Sequence, residues 1–235
     1  MEERPVATFG ILMYNEQESI MDMYQDLKKA LKNFPFSYEI LYIDNGSADS
    51  SSDTVKSLMK TDESVSLFRI EKNQGYGNGI IEGLKQARGS YIGYIWGDNQ
   101  VKADDIIRVY KTAVANPGSL AKICRIKRED GGMRVFGSYI YNKLYSFLFR
   151  LETRDANGCP KVFEKKLFDR MNLRKKDWLI DPEILYKAKK QKISIIEMPI
   201  VFYKREKGKS YVNLGTFASF FLKLLISYIK RDFDH

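Results

Sequence analysis

The run Tyr91-Ile92-Gly93-Tyr94-Ile95-Trp96 is apolar and rich in strand-forming residues, and it ends abruptly in Gly97-Asp98-Asn99-Gln100. Asp98 and Gln100 would then offer a carboxylate and an amide oxygen at the carboxyl end of a buried strand, where open α/β sheets hold ligands. Hard oxygen ligands of this kind suit Mg²⁺ or Mn²⁺, and such a cation can clamp a diphosphate. Taken alone, Asp98-Asn99-Gln100 favours the plain reading of a strand followed by a polar turn, and the rest of the chain reverses that balance. Three more polar clusters end comparable runs: Tyr14-Asn15-Glu16, Asp44-Asn45-Gly46-Ser47-Ala48-Asp49, and Asn73-Gln74-Gly75-Tyr76-Gly77-Asn78-Gly79. The glycine loop lacks the Gly-Lys-Ser/Thr ending of a P-loop and does not read Gly-x-Gly-x-x-Gly, so by itself it specifies no ligand. Four such clusters on one edge of one sheet carry more weight than any one of them.

The elements that must position these clusters repeat. Apolar runs of β type end near Tyr14, Asp44, Ile70 and Trp96, roughly 26 to 30 residues apart, the spacing of βα units. Helical patterns lie between them, at about Ser19 to Phe34, Ser50 to Lys60, Asn78 to Ala87 and Ala103 to Ala115. A fifth apolar run, Leu120 to Ile126, follows Asn116-Pro117-Gly118. This order predicts an α/β fold, a mostly parallel sheet with helices on both faces. The second half is less regular: an amphipathic segment from Phe136 to Leu151, a turn at Asn157-Gly158-Cys159-Pro160, a helix near Pro182 to Lys192 and a strand near Ile193 to Phe202. No low-complexity linker divides the halves. The expected organisation is one domain over residues 1–212 and an amphipathic helix appended over 213–235.

Composition narrows the chemistry. The 235 residues are 44% hydrophobic and include 15 Tyr and 14 Phe, enough for a sizeable core. A formal charge of +9 points to an anionic partner, whether nucleic acid, phosphorylated substrate or acidic membrane. No basic–aromatic motif supports nucleic acid. Cys124 and Cys159 have neither metal nor disulfide spacing, which fits a reducing compartment. The charged Met1-Glu2-Glu3-Arg4-Pro5 start lacks a signal-peptide apolar region, and no uninterrupted apolar stretch of about 18 residues is present. The one histidine is His235, which argues against imidazole acid/base chemistry.

In this order the clusters resemble those of the family 2 glycosyltransferases with the GT-A fold. Tyr14-Asn15-Glu16 looks like the family's first-strand motif, Asp44 to Asp49 like its Asp-Asp-Gly-Ser-x-Asp nucleotide motif, and Asn73 to Gly79 like its Asn-x-Gly-x-Gly loop. Asp98-x-Gln100 looks like the end of its Asp-x-Asp-x-Gln metal motif. Arg154 to Phe163 and Arg205-Glu206-Lys207-Gly208-Lys209-Ser210 resemble segments of the dolichyl-phosphate mannose synthase-like branch. Two positions depart from the pattern: Trp96 and Asn45 stand where aspartates are usual.

The resemblance implies nucleotide contacts from Tyr14, Asn15, Glu16, Asp44, Asn45, Gly75, Asn78, Gly97 and Asp98, with a metal at Asp98 and Gln100. It implies catalytic roles for Asp98, Asp181, Arg205 and Lys209, with Gly208 as a hinge. Arg125, Lys127, Arg128, Arg134 and Lys207 are further basic candidates to stabilise a departing diphosphate. Asp181 has two readings, a general base or the N-cap of a helix that Pro182 begins. The activity implied is metal-dependent, inverting transfer of a sugar from a nucleotide diphosphate sugar to a polyprenyl phosphate. Transfer to a saccharide hydroxyl is the alternative acceptor chemistry. A catalytically inactive nucleotide-sugar-binding scaffold is the alternative that Trp96 and Asn45 motivate.

The C-terminus bears on location. On a helical wheel Leu214, Phe217, Ala218, Phe221, Leu222, Leu224, Leu225, Tyr228 and Ile229 form a broad apolar stripe opposite Thr216, Ser219, Lys223, Ser227 and Lys230. An earlier segment places Ile140, Leu144, Phe147, Leu148 and Leu151 opposite Asn142, Lys143 and Arg150. Both patterns suit helices lying in a membrane surface, or packing on the core or on a second subunit of a homo-oligomer. The location expected is cytoplasmic, peripheral at the inner face of a membrane.

Overall fold

The computed structural model describes residues 4–129, 131–208 and 214–234. Its sheet has seven strands in the order β3-β2-β1-β4-β6-β5-β7. They are β1 (Ala7–Met13), β2 (Tyr38–Asp44), β3 (Val65–Arg69), β4 (Tyr91–Trp96), β5 (Ser119–Arg128), β6 (Lys161–Glu164) and β7 (Ser194–Phe202). All pairings are parallel except those of β6, which runs antiparallel between β4 and β5. The mostly parallel sheet is as the sequence predicts. The strand β6 and the helix behind it, Lys165–Met171, are additions: four residues bracketed by Lys161 and Glu164 leave no periodic signal.

Helices α1 (Ile20–Leu31), α2 (Ser51–Met59) and α4 (Ala103–Ala115) cover one face of the sheet. Helix α3 (Tyr76–Gln86) lies on the other, with α5 (Gly132–Phe149), α6 (Lys165–Met171), α7 (Ile180–Lys190) and α8 (Leu214–Ile229). Side-chain alternation feeds both layers. Phe9, Ile11 and Met13 join the first core, and Leu12 joins the second with Ile43 and Tyr94. Burial on both faces explains why the central strands read as continuous apolar runs. In α1 the buried residues Ile20, Met23, Leu27 and Leu31 keep the helical period that the sequence displays.

The last helix is not an appendage. Phe220 and Leu224 of α8 and the following Phe233 are core residues, and Lys223 and Asp232 pair with Asp177 and Lys175. The expected boundary at 212/213 lies outside the described residues. The apolar side read on α5 also divides. Leu144 and Leu148 pack on the core and Leu151 is buried, while Ile140 and Phe147 stay exposed beside Lys143.

Chain order β1-β2-β3 runs one way along the sheet, and β4 pairs on the other side of β1. The carboxyl ends of β1 and β4 therefore flank a topological switch point, where a crevice opens between diverging connections.

Candidate active site

That crevice holds a cavity of about 390 Å³. Tyr14 and Glu16 enter it from the end of β1, Asn45 from β2, and Gly75 and Tyr76 from the start of α3. Trp96, Gly97, Asp98 and Gln100 enter from β4. Arg125 and Arg128 line it from β5, Arg134 from α5, Asp181 from α7 and Arg205 from the loop after β7. Most of the residues singled out in the sequence therefore converge.

Asp44, Asn15 and Asn78, and the basic candidates Lys127 and Lys207, do not reach the cavity wall. Asp44 is fully buried. Its Oδ1 accepts the Ser47 N–H at 2.8 Å, its Oδ2 accepts the Ser52 hydroxyl, and Arg69 stands 3.8 Å away. It shapes the loop that follows β2, and its carboxylate lies off the cavity wall. Asn15, at φ 56°, accepts the Ala48 N–H at 2.8 Å and receives no place on the wall; its own N–H donates to Ser47 Oγ at 2.9 Å. Asn78 is buried in the first turn of α3, its N–H on the Lys176 carbonyl at 3.0 Å. Lys209 lies outside the described residues, as do Ser210 and His235.

The two departures from the family pattern have structural uses. Asn45 donates through Nδ2 to the Gly75 carbonyl at 3.1 Å and to Asn73 Oδ1 at 3.3 Å, which a carboxylate could not do. Its own Oδ1 is buried without a partner among the described residues. Gly75 sits at φ 112°, and a Cβ there would fall 2.3 Å from the Lys176 carbonyl oxygen, so only glycine fits. Trp96 donates from Nε1 to the Tyr76 hydroxyl at 2.8 Å, and the Arg125 guanidinium lies 5.5 Å from its ring.

Four carboxylates line the cavity. Glu16 is ion-paired with Arg205. Burial pushes its carboxyl above the usual range against the pull of Arg205, and the nearby Asp98 adds to the rise. Asp155 accepts Arg125 Nε at 2.6 Å and Nη2 at 2.7 Å. Burial opposes its charge, yet Arg125 and Lys122 hold it well below the usual range. Asp181 accepts the Tyr94 hydroxyl at 2.5 Å and the Lys161 ammonium. It lies in the first turn of α7, whose cap position is Leu179, so the N-capping reading is replaced: Asp181 caps nothing and faces inward. Asp98, half-buried, is the fourth. Burial raises its carboxyl, and the Gln100 N–H at 3.2 Å and the charges of Arg205 and Arg125 oppose that rise. Among the described residues it alone of the four has no ion-pair partner.

Gln100 turns its amide nitrogen to the Tyr203 carbonyl at 2.8 Å, and Tyr203 N–H returns a bond to the Gln100 carbonyl at 3.2 Å. The residue thereby ties the Arg205 loop to the end of β4. Lys207 pairs with Asp22, and Gly208 N–H donates to Glu18 at 3.0 Å, which fixes the far end of the same loop.

Sequence reasoning missed Trp178, Asn157 and the role of Lys161. Trp178 stacks on Tyr76 with ring centroids 4.3 Å apart, and both line the cavity. A tryptophan three residues before Asp181 was the available signal. Lys161 was legible only as a lysine before the apolar pair Val162-Phe163.

Residues 8–171 match the family model described as Glycosyl transferase family 2. The chain is 29% identical over 206 residues to the dolichyl-phosphate beta-glucosyltransferase of Dictyostelium discoideum, covering 80% of this chain and 63% of that protein. It is 28% identical over 174 residues to the undecaprenyl-phosphate 4-deoxy-4-formamido-L-arabinose transferase of Pseudomonas fluorescens, covering 73% and 51%. The chain thus spans between half and two thirds of the length of these curated relatives. Among solved structures, mannosyl-3-phosphoglycerate synthase from Rubrobacter xylanophilus superposes with a TM-score of 0.77 at 14% identity, over 97% of this chain and 75% of that one. A mannosyltransferase from Pyrobaculum calidifontis, in complex with GDP-Man and Mn²⁺, gives 0.69 at 16% identity over 100% and 66%. At these identities the structural likenesses establish the fold.

Proposed function

Because the chain belongs to glycosyl transferase family 2, we propose that it transfers a sugar from a nucleotide diphosphate sugar to a polyprenyl phosphate, with inversion, at the cytoplasmic surface of a membrane. The observation that carries this reading is the state of the four cavity carboxylates. Three are held by Arg205, Arg125 and Lys161. A neutral saccharide hydroxyl needs a general base, and a two-step retaining route needs a carboxylate nucleophile. A lipid phosphate is already ionised near neutral pH and needs neither. Its oxygen attacks the anomeric carbon, the bond from that carbon to the diphosphate oxygen breaks, and the nucleoside diphosphate leaves with the electron pair.

The arginines that line the cavity set the electrostatics. Arg205, Arg125, Arg128 and Arg134 favour two phosphorylated reactants in one site, and fixed guanidinium groups need no reorganisation as charge moves to the leaving group. The donor set also fits a divalent cation. Asp98 is a hard oxygen ligand, without an ion pair among the described residues, beside the second carboxylate of Glu16, whose mutual repulsion a cation would relieve. Among the described residues no group of three or more His, Cys, Asp or Glu side chains gathers, so substrate oxygens or water would supply the remaining ligands. Asp98, with the Gln100 amide oxygen, would hold Mg²⁺ or Mn²⁺, and the ion when bound neutralises the leaving diphosphate.

The relatives named for dolichyl phosphate and undecaprenyl phosphate support the acceptor class. No described helix is long and apolar enough to cross a membrane. The exposed Phe136, Tyr139, Ile140 and Phe147 of α5, with Leu222, Leu225 and Ile229 of α8, form an apolar surface suited to lying on one. The test is product analysis with UDP- and GDP-sugars, Mn²⁺, and either a polyprenyl phosphate or a saccharide acceptor. Expected is a lipid product whose anomeric configuration by NMR is opposite to the donor's. Transfer only to the saccharide overturns the acceptor assignment, and tight nucleotide binding without transfer to either favours the scaffold.

A further inference from the structure

Two amide oxygens on the cavity wall, those of Asn45 and Asn157, are buried and have no hydrogen-bond partner among the described residues. Leaving such an acceptor unmade is unfavourable, so each is available to a donor from a ligand or a water in the cavity. Asn45 belongs to the glycine-loop side, through its bonds to Asn73 and Gly75. Asn157 belongs to the opposite side, in the loop between α5 and β6. The same cavity holds the stacked rings of Trp178 and Tyr76, inclined by 16°, and the Asp181 carboxylate. Rings beside fixed hydrogen-bond acceptors suit a molecule with an apolar face and a hydroxylated rim.

We infer that Trp178, Tyr76, Asn157 and Asp181 form the subsite for the transferred sugar ring, and that the ring is an uncharged pyranose. The inference rests on the nucleotide-sugar reading above and adds where the sugar lies and its charge class. The C–H face of a pyranose lies against the aromatic pair, and ring hydroxyls donate to Asn157 Oδ1 and Asp181. Asp181 reaches this role as an acceptor because Lys161 and Tyr94 fix its position. The charges at this end are balanced: Asp181 by Lys161, and Asp155 by Arg125. With Asp181 and Asp155 already paired, a sugar carboxylate or ammonium meets no uncompensated opposite charge in these two pairs, so both are disfavoured.

Isothermal titration in Mn²⁺ compares UDP with UDP-glucose and GDP with GDP-mannose on wild type, Asn157→Ala, Trp178→Ala and Trp178→Phe. Asn157→Ala and Trp178→Ala should weaken the nucleotide sugar by roughly fivefold or more, the scale of one lost hydrogen bond or ring contact, while Trp178→Phe retains most of the affinity. Affinities for UDP and GDP should stay within about twofold. UDP-glucuronic acid should gain nothing over UDP. Equal losses for nucleotide and nucleotide sugar, or no loss for either, overturn the subsite. If Trp178→Ala fails to fold, Asn157→Ala and Trp178→Phe carry the comparison. Saturation-transfer NMR with methyl glucoside and methyl mannoside separates the two readings. Ring signals that vanish in Trp178→Ala, with no nucleotide bound by wild type, retain the sugar subsite and reject the nucleotide. Nucleotide binding without any Trp178- or Asn157-dependent sugar effect does the reverse.

Discussion

The Lys161 ammonium closes on the Asp181 carboxylate at the inner end of the cavity, and both side chains are all but excluded from water. One partner comes from β6, inserted antiparallel between β4 and β5, and the other from the first turn of α7. The pair therefore joins the sheet to the helix that forms one wall.

Asp181→Asn separates anchoring from base catalysis. It leaves a buried ammonium without its counter-charge, so urea denaturation should show a loss of about 3–5 kcal/mol. A general base would cost on the order of 10²–10⁴ in rate and would titrate in the pH–rate profile. Per folded molecule, the expected fall is instead under about tenfold, with the profile unmoved, because the amide oxygen still accepts. A larger fall together with loss of a profile limb would restore the base.

Asp98→Asn should remove the Mn²⁺-dependent part of the thermal stabilisation given by UDP or GDP. The part seen without metal should survive, since ligand-linked stabilisation reports each binding event separately. Gln100→Ala should do less, loosening the Tyr203 anchor while leaving Asp98 in place. An undiminished Mn²⁺ effect in Asp98→Asn would move the cation elsewhere.

Asp44→Ala should act on stability rather than on nucleotide contact. It removes acceptors for the Ser47 N–H and the Ser52 hydroxyl, and hydrogen bonds to a charged group contribute about 1.5–3 kcal/mol each. Denaturation should therefore report a loss on that scale. Calorimetry at a temperature where the variant is folded should find nucleotide affinity lowered less than about threefold. Intact stability with lost affinity would return Asp44 to the nucleotide.

The Asp155–Arg125 clamp predicts an acid dependence. The carboxyl of Asp155 is depressed in the folded protein below its ordinary 3.8. A depressed acid stabilises the fold above its unfolded value, and the contribution disappears as pH falls through the folded one. The stability difference between wild type and Asp155→Asn should thus be constant near neutrality and shrink only below about pH 4. A difference that is flat down to acid unfolding would mean that the clamp is steric.

How far the sequence reached depended on how local each signal was. Strands β1, β2 and β4 announce themselves because burial on both faces makes them continuous apolar runs, and the polar residues at their ends follow directly. Strand β6 is held by pairing with β4 and β5, remote in sequence, so its four residues carry no signal of their own. Asp44 illustrates the converse. Its motif was legible, but whether its lone pairs face a ligand or the neighbouring serines depends on the turn of the loop. The Asp181 charge was legible, and its partner Lys161 was not, because the two are 20 positions apart and meet only through the insertion of β6.

The membrane reading is best tested by point substitution. Deleting residues 213–235 would strip Phe220, Leu224 and Phe233 from the core, so loss of binding would be confounded with unfolding. Phe147, Ile229, Phe136 and Leu222 are 81%, 78%, 65% and 60% exposed, so replacing all four with Ser should cost little stability. Flotation with anionic liposomes should recover the wild-type chain and lose the quadruple variant. Lys143, Arg150, Lys230 and Arg231 are exposed on or beside these helices and would each add about 1 kcal/mol near an anionic surface. Lys223 would add less, because Asp177 already holds it at 2.7 Å. Raising salt should therefore weaken flotation of the wild type without abolishing it, since the apolar contribution is not screened. If the wild type does not float, and the quadruple variant instead halves the mass seen by light scattering, the face joins two copies of the chain and the membrane assignment fails.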